Sequence, residues 1–153
     1  NIENFEYVTT LRIHTRSLVV MPSRITDYLA KILAKTRLKV VLVTHINHAN
    51  EISAAFSKNI AKIENVTFLN QSVLLSGVND DISSLKQLSL KLFEVGILPY
   101  YLHMLDQVSG AENYLVNAEK ATQLHLQLQA QLSGYLVPRL VRDEGKSSKT
   151  WLL

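Results

Sequence analysis

The sequence predicts an α/β fold in which parallel β-strands alternate with α-helices. Five apolar runs rich in β-forming residues begin roughly 30 residues apart, the size of a βαβ unit. Between them, apolar residues recur at the spacing of amphipathic helices. The run LKVVLV at 38–43 is almost continuously apolar, as expected of a strand buried on both faces. These observations predict right-handed crossovers, in an open doubly wound sheet or in the arc of a barrel.

Each predicted element has its own signal in the sequence. The five predicted strands are Leu11–Thr15, Leu38–Thr44, Val66–Ser72, Leu98–Met104 and Tyr135–Val141. The apolar stripes of the four predicted helices are Ile25, Leu29, Ile32 and Leu33; Ile52, Phe56, Ile60 and Ile63; Leu85, Leu88 and Leu92; and Ala121, Leu124, Leu128 and Leu132. We expect Gly96 to end the third helix, Asn117 to cap the fourth and Gly134 to follow its end.

The composition is that of an ordinary globular domain and restricts the classes of function. The chain has 153 residues, 47% hydrophobic and 19% charged, and residues 1–153 are expected to form a single domain. The net charge is +3 without blocks of like charge, which argues against nucleic-acid binding. The lack of cysteine excludes disulfides and thiolate-held metals within these residues. The apolar runs are too short for a membrane helix, and the cytoplasm is the expected compartment.

Polar residues mark the carboxyl end of every predicted strand. In a parallel sheet these ends share one edge, where ligands bind. Polar residues that repeatedly end hydrophobic strands therefore predict a polar ligand, and the mild positive charge suits a small anion. The residues are His14, Thr15 and Arg16; His45, Asn47, His48, Asn50 and Glu51; Asn70, Gln71 and Ser72; Tyr100, Tyr101, His103 and Asp106; and Arg139, Arg142 and Asp143.

The loop after the second strand allows two interpretations. His45, His48 and Glu51 have H-x-x-H-x-x-E spacing, which on one helix face binds zinc. The preceding strand instead places His45 at a strand end and the other two residues in a turn. Asn50 and Ser53 are alternative caps for the next helix. At this point a metal site and a structural turn are both open.

The C-terminal segment VPRLVRDEGKSSKTWLL (137–153) also has two interpretations. GKSS resembles the end of a phosphate-binding loop, but the first glycine of that motif falls on Leu140, and too few residues follow for the required helix. Lys149 suits a Schiff-base lysine, which must be held near its cofactor and be deprotonated part of the time. A solvated tail is the alternative. Asp106 is likewise either a functional carboxylate or a turn former.

Several longer motifs carry a resemblance to a known family. NQSVLLSGVND (70–80), LPYYLHMLDQVSGAENY (98–114), SGYLVPRLV (133–141) and SKT (148–150) have the order and spacing found in lysine 2,3-aminomutases. RIHTRSLVVMPSRIT (12–26) and THINHANEI (44–52) extend the similarity towards the N-terminus. The resemblance implies a partial (β/α) barrel of the TIM type. It also implies a radical isomerase of lysine that uses S-adenosylmethionine, a 4Fe–4S cluster and pyridoxal phosphate.

The resemblance implies roles for residues on the cofactor side. Lys149 would be the catalytic lysine that carries pyridoxal phosphate as an internal aldimine, with Lys146 a bystander. His45 and Gln71 would contact S-adenosylmethionine. The family's cluster motif, C-x-x-x-C-x-x-C, is absent. The chain therefore resembles the C-terminal half of such an enzyme, with the cluster-binding part upstream, and we expect it to be inactive alone.

The substrate side is implied by the same resemblance. Asp106 would hold the side-chain ammonium of the substrate lysine together with Asp143, a role for which Glu144 competes. The motifs are closest to the bacterial branch that makes (R)-β-lysine for attachment to elongation factor P. That branch implies elongation factor P and its lysylating enzyme as partners, and a free-lysine enzyme is the alternative.

Because of two departures from the family pattern, a non-catalytic function is also possible as an interpretation of the sequence. Ser76 stands where the family usually has arginine, and Asn113 where histidine is common. An inactive remnant that serves as a binding or structural module is therefore the alternative to an enzyme. Half a barrel exposes sheet edges and apolar surface, so we also expect the chain to form homo-oligomers.

Overall fold

A computed structural model describes residues 2–106 and 108–142, and the backbone of 150–151. These residues contain one six-stranded sheet whose strands lie in chain order, the first five parallel and the last antiparallel to its neighbour. The strands are β1 (Thr10–Thr15), β2 (Lys39–Thr44), β3 (Val66–Leu74), β4 (Leu98–Met104), β5 (Arg139–Arg142) and β6 (Thr150–Trp151). The helices are α1 (Ser17–Val20), α2 (Asp27–Lys35), α3 (Ala54–Ile60), α4 (Ile82–Glu94) and α5 (Ala118–Gln131).

The structure confirms the predicted order of parallel strands and helices, with one error at β5. β4 has the predicted bounds, and β1 to β3 differ from the prediction by one or two residues at an end. The fifth strand was predicted from Tyr135, but residues Gly134–Leu136 form a 3₁₀ turn and the strand begins at Arg139. Pro138, directly before it, has no N–H to donate to a ladder, which explains the later start. The short strand β6 was not predicted.

The helices pack against one face of the sheet. Apolar side chains of β2 and β4 that alternate along the strand, such as Val40 and Leu42 or Leu102 and Met104, belong to two buried clusters shared with the helices. The first cluster joins β1–β3 to α2, α3 and α4, and the second joins β3–β5 to α4 and α5. The residues between them, among them Tyr101 and His103, therefore belong to the opposite face.

The helix boundaries follow the predicted capping signals. The Asn117 side chain accepts a hydrogen bond of 2.8 Å from the backbone N–H of Lys120 and begins α5. Gly96 follows α4 with φ +80°, a conformation that favours glycine, as expected of a helix end. Within the described residues, no helix combines the length and apolar character needed to cross a lipid bilayer.

The core between the sheet and the helices stabilises the fold, so truncation of a large side chain there should lower the free energy of unfolding. Phe56 on α3 is fully buried, and we expect Phe56→Ala to lower the free energy of unfolding by about 3–5 kcal/mol. Phe93→Ala is the matched control, because Phe93 is 47% exposed and its ring lies 5.2 Å from that of Tyr135, between centroids. Its cost should be about 1 kcal/mol. Denaturant unfolding of both variants tests this, and equal losses would contradict the assignment of the core.

Candidate functional site

A single cavity at the carboxyl edge of the sheet brings together three of the predicted site residues. His45 directly follows β2, Gln71 lies in β3, and Asp106 follows β4 by two residues. The cavity has a volume of about 300 Å³, at the lower end of the range for small-molecule sites. Its lining residues are His45, Gln71, Val73, His103, Met104, Leu105 and Asp106.

Aromatic rings of β4 lie next to one another, and the row includes His103, which lines the cavity. The rings of Tyr100 and Tyr101 lie 4.0 Å apart between centroids, and that of Tyr101 lies 5.6 Å from His103, edge to face. The guanidinium carbon of Arg12 on β1 lies 5.8 Å from the Tyr100 centroid, within range of a cation–π contact. Sequence reasoning noted His103 as a polar strand-end residue but gave it no role. Its alternation with the buried Leu102 and Met104 was the available signal.

A buried amide network holds the loop that carries His45. The Asn70 side-chain oxygen accepts hydrogen bonds of 2.9 Å from the Ile46 backbone N–H and the Thr44 hydroxyl. Its nitrogen donates to the Ile46 carbonyl and to the Ser72 hydroxyl, both at 2.9 Å, and Ser72 donates to the same carbonyl at 2.8 Å. Every polar atom of the Asn70 side chain is thus used, and the backbone next to His45 is held from inside the core.

An ion pair holds the same loop from the outside. Glu51 accepts hydrogen bonds from the backbone N–H groups of Asn47 at 2.7 Å and His48 at 3.0 Å. Its other oxygen lies 2.7 Å from Nη2 of Arg16, whose Nη1 donates to the His45 carbonyl at 3.2 Å. The loop that carries His45 is therefore tied to the end of β1 as well as to β3.

These contacts favour the structural turn over the alternative metal site of His45, His48 and Glu51. His48 uses Nδ1 to accept from the Asn50 N–H at 3.1 Å, and Glu51 forms a capping box with His48. No group of three His, Cys, Asp or Glu residues within the described ranges is arranged to hold a metal ion. Of the two candidate caps, Ser53 caps α3, whereas Asn50 lies inside the preceding 3₁₀ turn.

The surroundings of His45 favour the neutral form of its ring. Burial is the main cause that lowers its pKa below 6.5, and the nearby His14 and Arg16 lower it further. The rings of His14 and His45 lie 6.0 Å apart between centroids. His45 therefore presents one N–H donor and one ring-nitrogen acceptor to the cavity, without a positive charge.

The remaining predicted site residues lie outside the described residues. These are Asp143 and Lys149, together with Glu144 and Lys146. Their described neighbours are paired: Arg142 at the end of β5 and Thr150 at the start of β6 are opposite each other in the antiparallel ladder. Arg142 and Thr150, which flank residues 143–149, thus meet at the same edge of the sheet as the cavity.

The chain is similar over almost its whole length to curated lysine aminomutases. The L-lysine 2,3-aminomutase of Haemophilus influenzae is 54% identical over 153 residues, which cover 98% of this chain and 45% of that protein. The L-lysine 2,3-aminomutase of Escherichia coli is 46% identical over 152 residues, covering 97% and 44%. The chain therefore spans slightly less than half the length of these relatives. No family model matches the chain.

A solved structure supports the barrel type of fold. The chain resembles the crystal structure of a radical SAM methyltransferase from Sphaerobacter thermophilus, with a TM-score of 0.58. The match covers 88% of this chain and 40% of that one. The sequences are 19% identical, so the likeness concerns the fold alone. It confirms the predicted α/β barrel-type architecture.

The electrostatics of His45 give a test by pH titration. We expect His45 to titrate below pH 6.5, and His14→Gln to raise its pKa while leaving it below that value, because burial is the larger cause. Since the unfolded chain binds this proton more readily, the contribution of His45 to folding stability should fall as pH drops below 6.5. NMR titration of the labelled ring measures the shift. Lys86→Gln, on α4, is the charge-matched control, and an equal shift in both variants would contradict the local cause.

Proposed function

The chain belongs to the lysine 2,3-aminomutase family, and on that premise we propose that it is the C-terminal portion of a radical enzyme that interconverts L-lysine and β-lysine. The main support for this proposal is that His45, Gln71 and Asp106 line one cavity at the carboxyl edge of the sheet. Two of these residues are assigned by family resemblance to S-adenosylmethionine and the third to the substrate. The cavity thus brings together residues that we propose for a cofactor side and for a substrate side.

The residues on the cofactor side suit a positively charged sulfonium ligand. Burial lowers the pKa of His45 and favours the neutral ring, which does not oppose the sulfonium of S-adenosylmethionine as an imidazolium would. Gln71 is almost fully buried and offers an uncharged donor and acceptor. When bound, S-adenosylmethionine supplies the hydrogen-abstracting radical and pyridoxal phosphate the π-system that stabilises the migrating amine. The task of the side chains is to bind and orient these groups.

Asp106 supplies the charge that selects the substrate. A carboxylate beside the cavity pairs with the side-chain ammonium of lysine in a charge-assisted hydrogen bond. The same carboxylate repels a substrate whose side chain ends in a carboxylate. We propose that Asp143 or Glu144 shares this role and that Lys149 binds pyridoxal phosphate. The pairing of Arg142 with Thr150, on either side of that segment, supports a position near the cavity.

The cluster chemistry needs residues that these 153 positions do not contain. The chain has no cysteine, whereas a 4Fe–4S cluster is held by thiolates. We propose that the three cysteine ligands lie in another part of the polypeptide and that the 153 residues alone are inactive. A non-catalytic binding module is the second candidate, favoured by the same lack of cysteine. Lysine turnover by the polypeptide that carries this chain separates the two.

We further propose that the product is (R)-β-lysine destined for elongation factor P. The sequences of the motifs LPYYLHMLDQVSGA and SGYLVPRL support this branch over the free-lysine enzymes. The two candidates make the same product and differ in its fate. Mass spectrometry of elongation factor P should detect β-lysine in cells with the intact gene for this polypeptide. Loss of β-lysine when that gene is deleted would support the elongation factor P branch.

Lys149 should be the residue that binds pyridoxal phosphate. In the polypeptide that carries this chain, borohydride reduction followed by peptide mass mapping should place a stable phosphopyridoxyl group on Lys149. Lys149→Arg keeps the positive charge but cannot form the bond, so it should abolish both the label and lysine turnover. Lys146→Arg, three residues away, is the matched control and should keep both. A label that survives Lys149→Arg would contradict the assignment.

Asp106 should control the affinity for lysine. Asp106→Asn removes the charge with little change of shape, so we expect the KM for lysine to rise roughly 10- to 100-fold, the size of one charged hydrogen bond. Asp27→Asn is the matched control, because Asp27 is an exposed carboxylate whose partner is Lys62 on the helix side. It should leave KM unchanged. Steady-state kinetics decides, and an unaltered KM in Asp106→Asn would remove this residue from the site.

A further inference from the structure

Two further amides, the buried Asn79 and the partly buried Asn47, join the two loops that form the proposed cofactor side of the cavity. Asn79 lies between β3 and α4 and has no exposed surface. Its side-chain oxygen accepts a hydrogen bond of 2.7 Å from the Leu75 N–H. Its side-chain nitrogen donates to the carbonyl of Asn47 at 2.8 Å and to that of Val73 at 2.9 Å. One carboxamide thus connects the loop after β2 with the end of β3.

Asn47 completes the connection from the other side. Its side-chain oxygen accepts a hydrogen bond of 2.9 Å from the Val73 N–H. Both backbone polar groups of Val73 are therefore bonded to asparagine side chains, and Asn47 is bonded through its side chain and its carbonyl. We call Asn47 and Asn79 the amide clamp.

Asn47 of the clamp and Val73, to which both clamp residues are bonded, each lie two residues from a proposed cofactor-binding side chain. His45 precedes Asn47 by two residues, and Gln71 precedes Val73 by two residues. His45, Gln71 and Val73 all line the cavity. Only two positions in the chain separate His45 from Asn47 and Gln71 from Val73. A shift of the clamp should therefore move both side chains, because a tightly packed interior does not absorb such a shift.

We propose that Asn47 and Asn79 are positioning residues that set the separation of His45 and Gln71, and through it the affinity for S-adenosylmethionine. The inference rests on the proposed function, because the ligand of His45 and Gln71 is assigned there. It adds two residues that do not line the cavity. Asp106, on the other side of the cavity, is joined to the clamp by none of these bonds, so binding of lysine should be affected far less.

The chemistry of the two amides differs, and this difference gives a specific test. Asn79 both donates and accepts, so aspartate would place a carboxylate oxygen against the carbonyls of Asn47 and Val73. Asn47 uses its side chain only to accept from Val73, so aspartate can replace it. Alanine at Asn47 leaves the Val73 N–H without that partner.

The experiment compares four variants of the polypeptide that carries this chain: Asn79→Asp, Asn47→Ala, Asn47→Asp and Asn59→Asp. Asn59 is the matched control, because its side chain donates to the Pro22 carbonyl at 3.1 Å on the helix side of the sheet. The measurements are the dissociation constant of S-adenosylmethionine by calorimetry, the KM values for S-adenosylmethionine and lysine, and the midpoint of thermal unfolding.

We expect Asn79→Asp and Asn47→Ala to weaken S-adenosylmethionine binding by about tenfold or more, the effect of one lost buried hydrogen bond, with a smaller change in the KM for lysine. Asn47→Asp should recover most of the affinity lost in Asn47→Ala. Asn59→Asp should lower the unfolding midpoint without weakening S-adenosylmethionine binding more than lysine binding.

Three results would overturn the inference. The first is unchanged S-adenosylmethionine affinity in Asn47→Ala, which remains decisive if Asn79→Asp fails to fold. The second is an equal loss for both ligands in all variants, which indicates stability alone. The third is an Asn47→Asp variant as impaired as Asn47→Ala. If the unaltered polypeptide binds no S-adenosylmethionine, the proposed function fails as well, and that measurement distinguishes the two failures.

Discussion

The candidate site depends on the hydrogen bonds between the Asn70 side chain and Ile46. The amide oxygen and nitrogen of Asn70 bond to the N–H and C=O of Ile46, as a neighbouring strand would, although β2 has already ended at Thr44. Ile46 is fully buried, so its backbone groups have no water as an alternative partner. The loop that carries His45 can therefore leave the sheet without leaving the core.

The two faces of the sheet have different tasks. One face packs its apolar residues against helices in two clusters, which stabilises the strands. The other face carries Arg12, Tyr101 and His103, whose polar atoms could not be buried against helices without partners. Because all five parallel strands run in one direction, the ends of this polar face meet at a single edge. The cavity with His45, Gln71 and Asp106 lies at this edge.

The cavity has two sides of different charge. The surroundings of His45 favour its neutral form and Gln71 is uncharged, whereas Asp106 carries a carboxylate. This asymmetry matches a site in which a sulfonium cofactor lies beside neutral donors and an ammonium group beside an anion. The family chemistry adds a metal cluster, for which this chain offers no thiolate. The proposed activity therefore needs thiolates from outside these 153 positions.

The sequence by itself determined the order of strands and helices, because the period of apolar residues and the capping residues Ser53, Asn117 and Gly96 act over a few neighbouring positions. It also placed His45, Gln71 and Asp106 at strand ends. Only the tertiary structure favoured a turn over a metal site at Glu51, since its partner Arg16 lies 35 positions away in the chain. The later start of β5 and the Asn70 network were also decided there. Hydrogen bonds between residues 24 to 35 positions apart leave no periodic signal, so no local pattern in the chain predicts them.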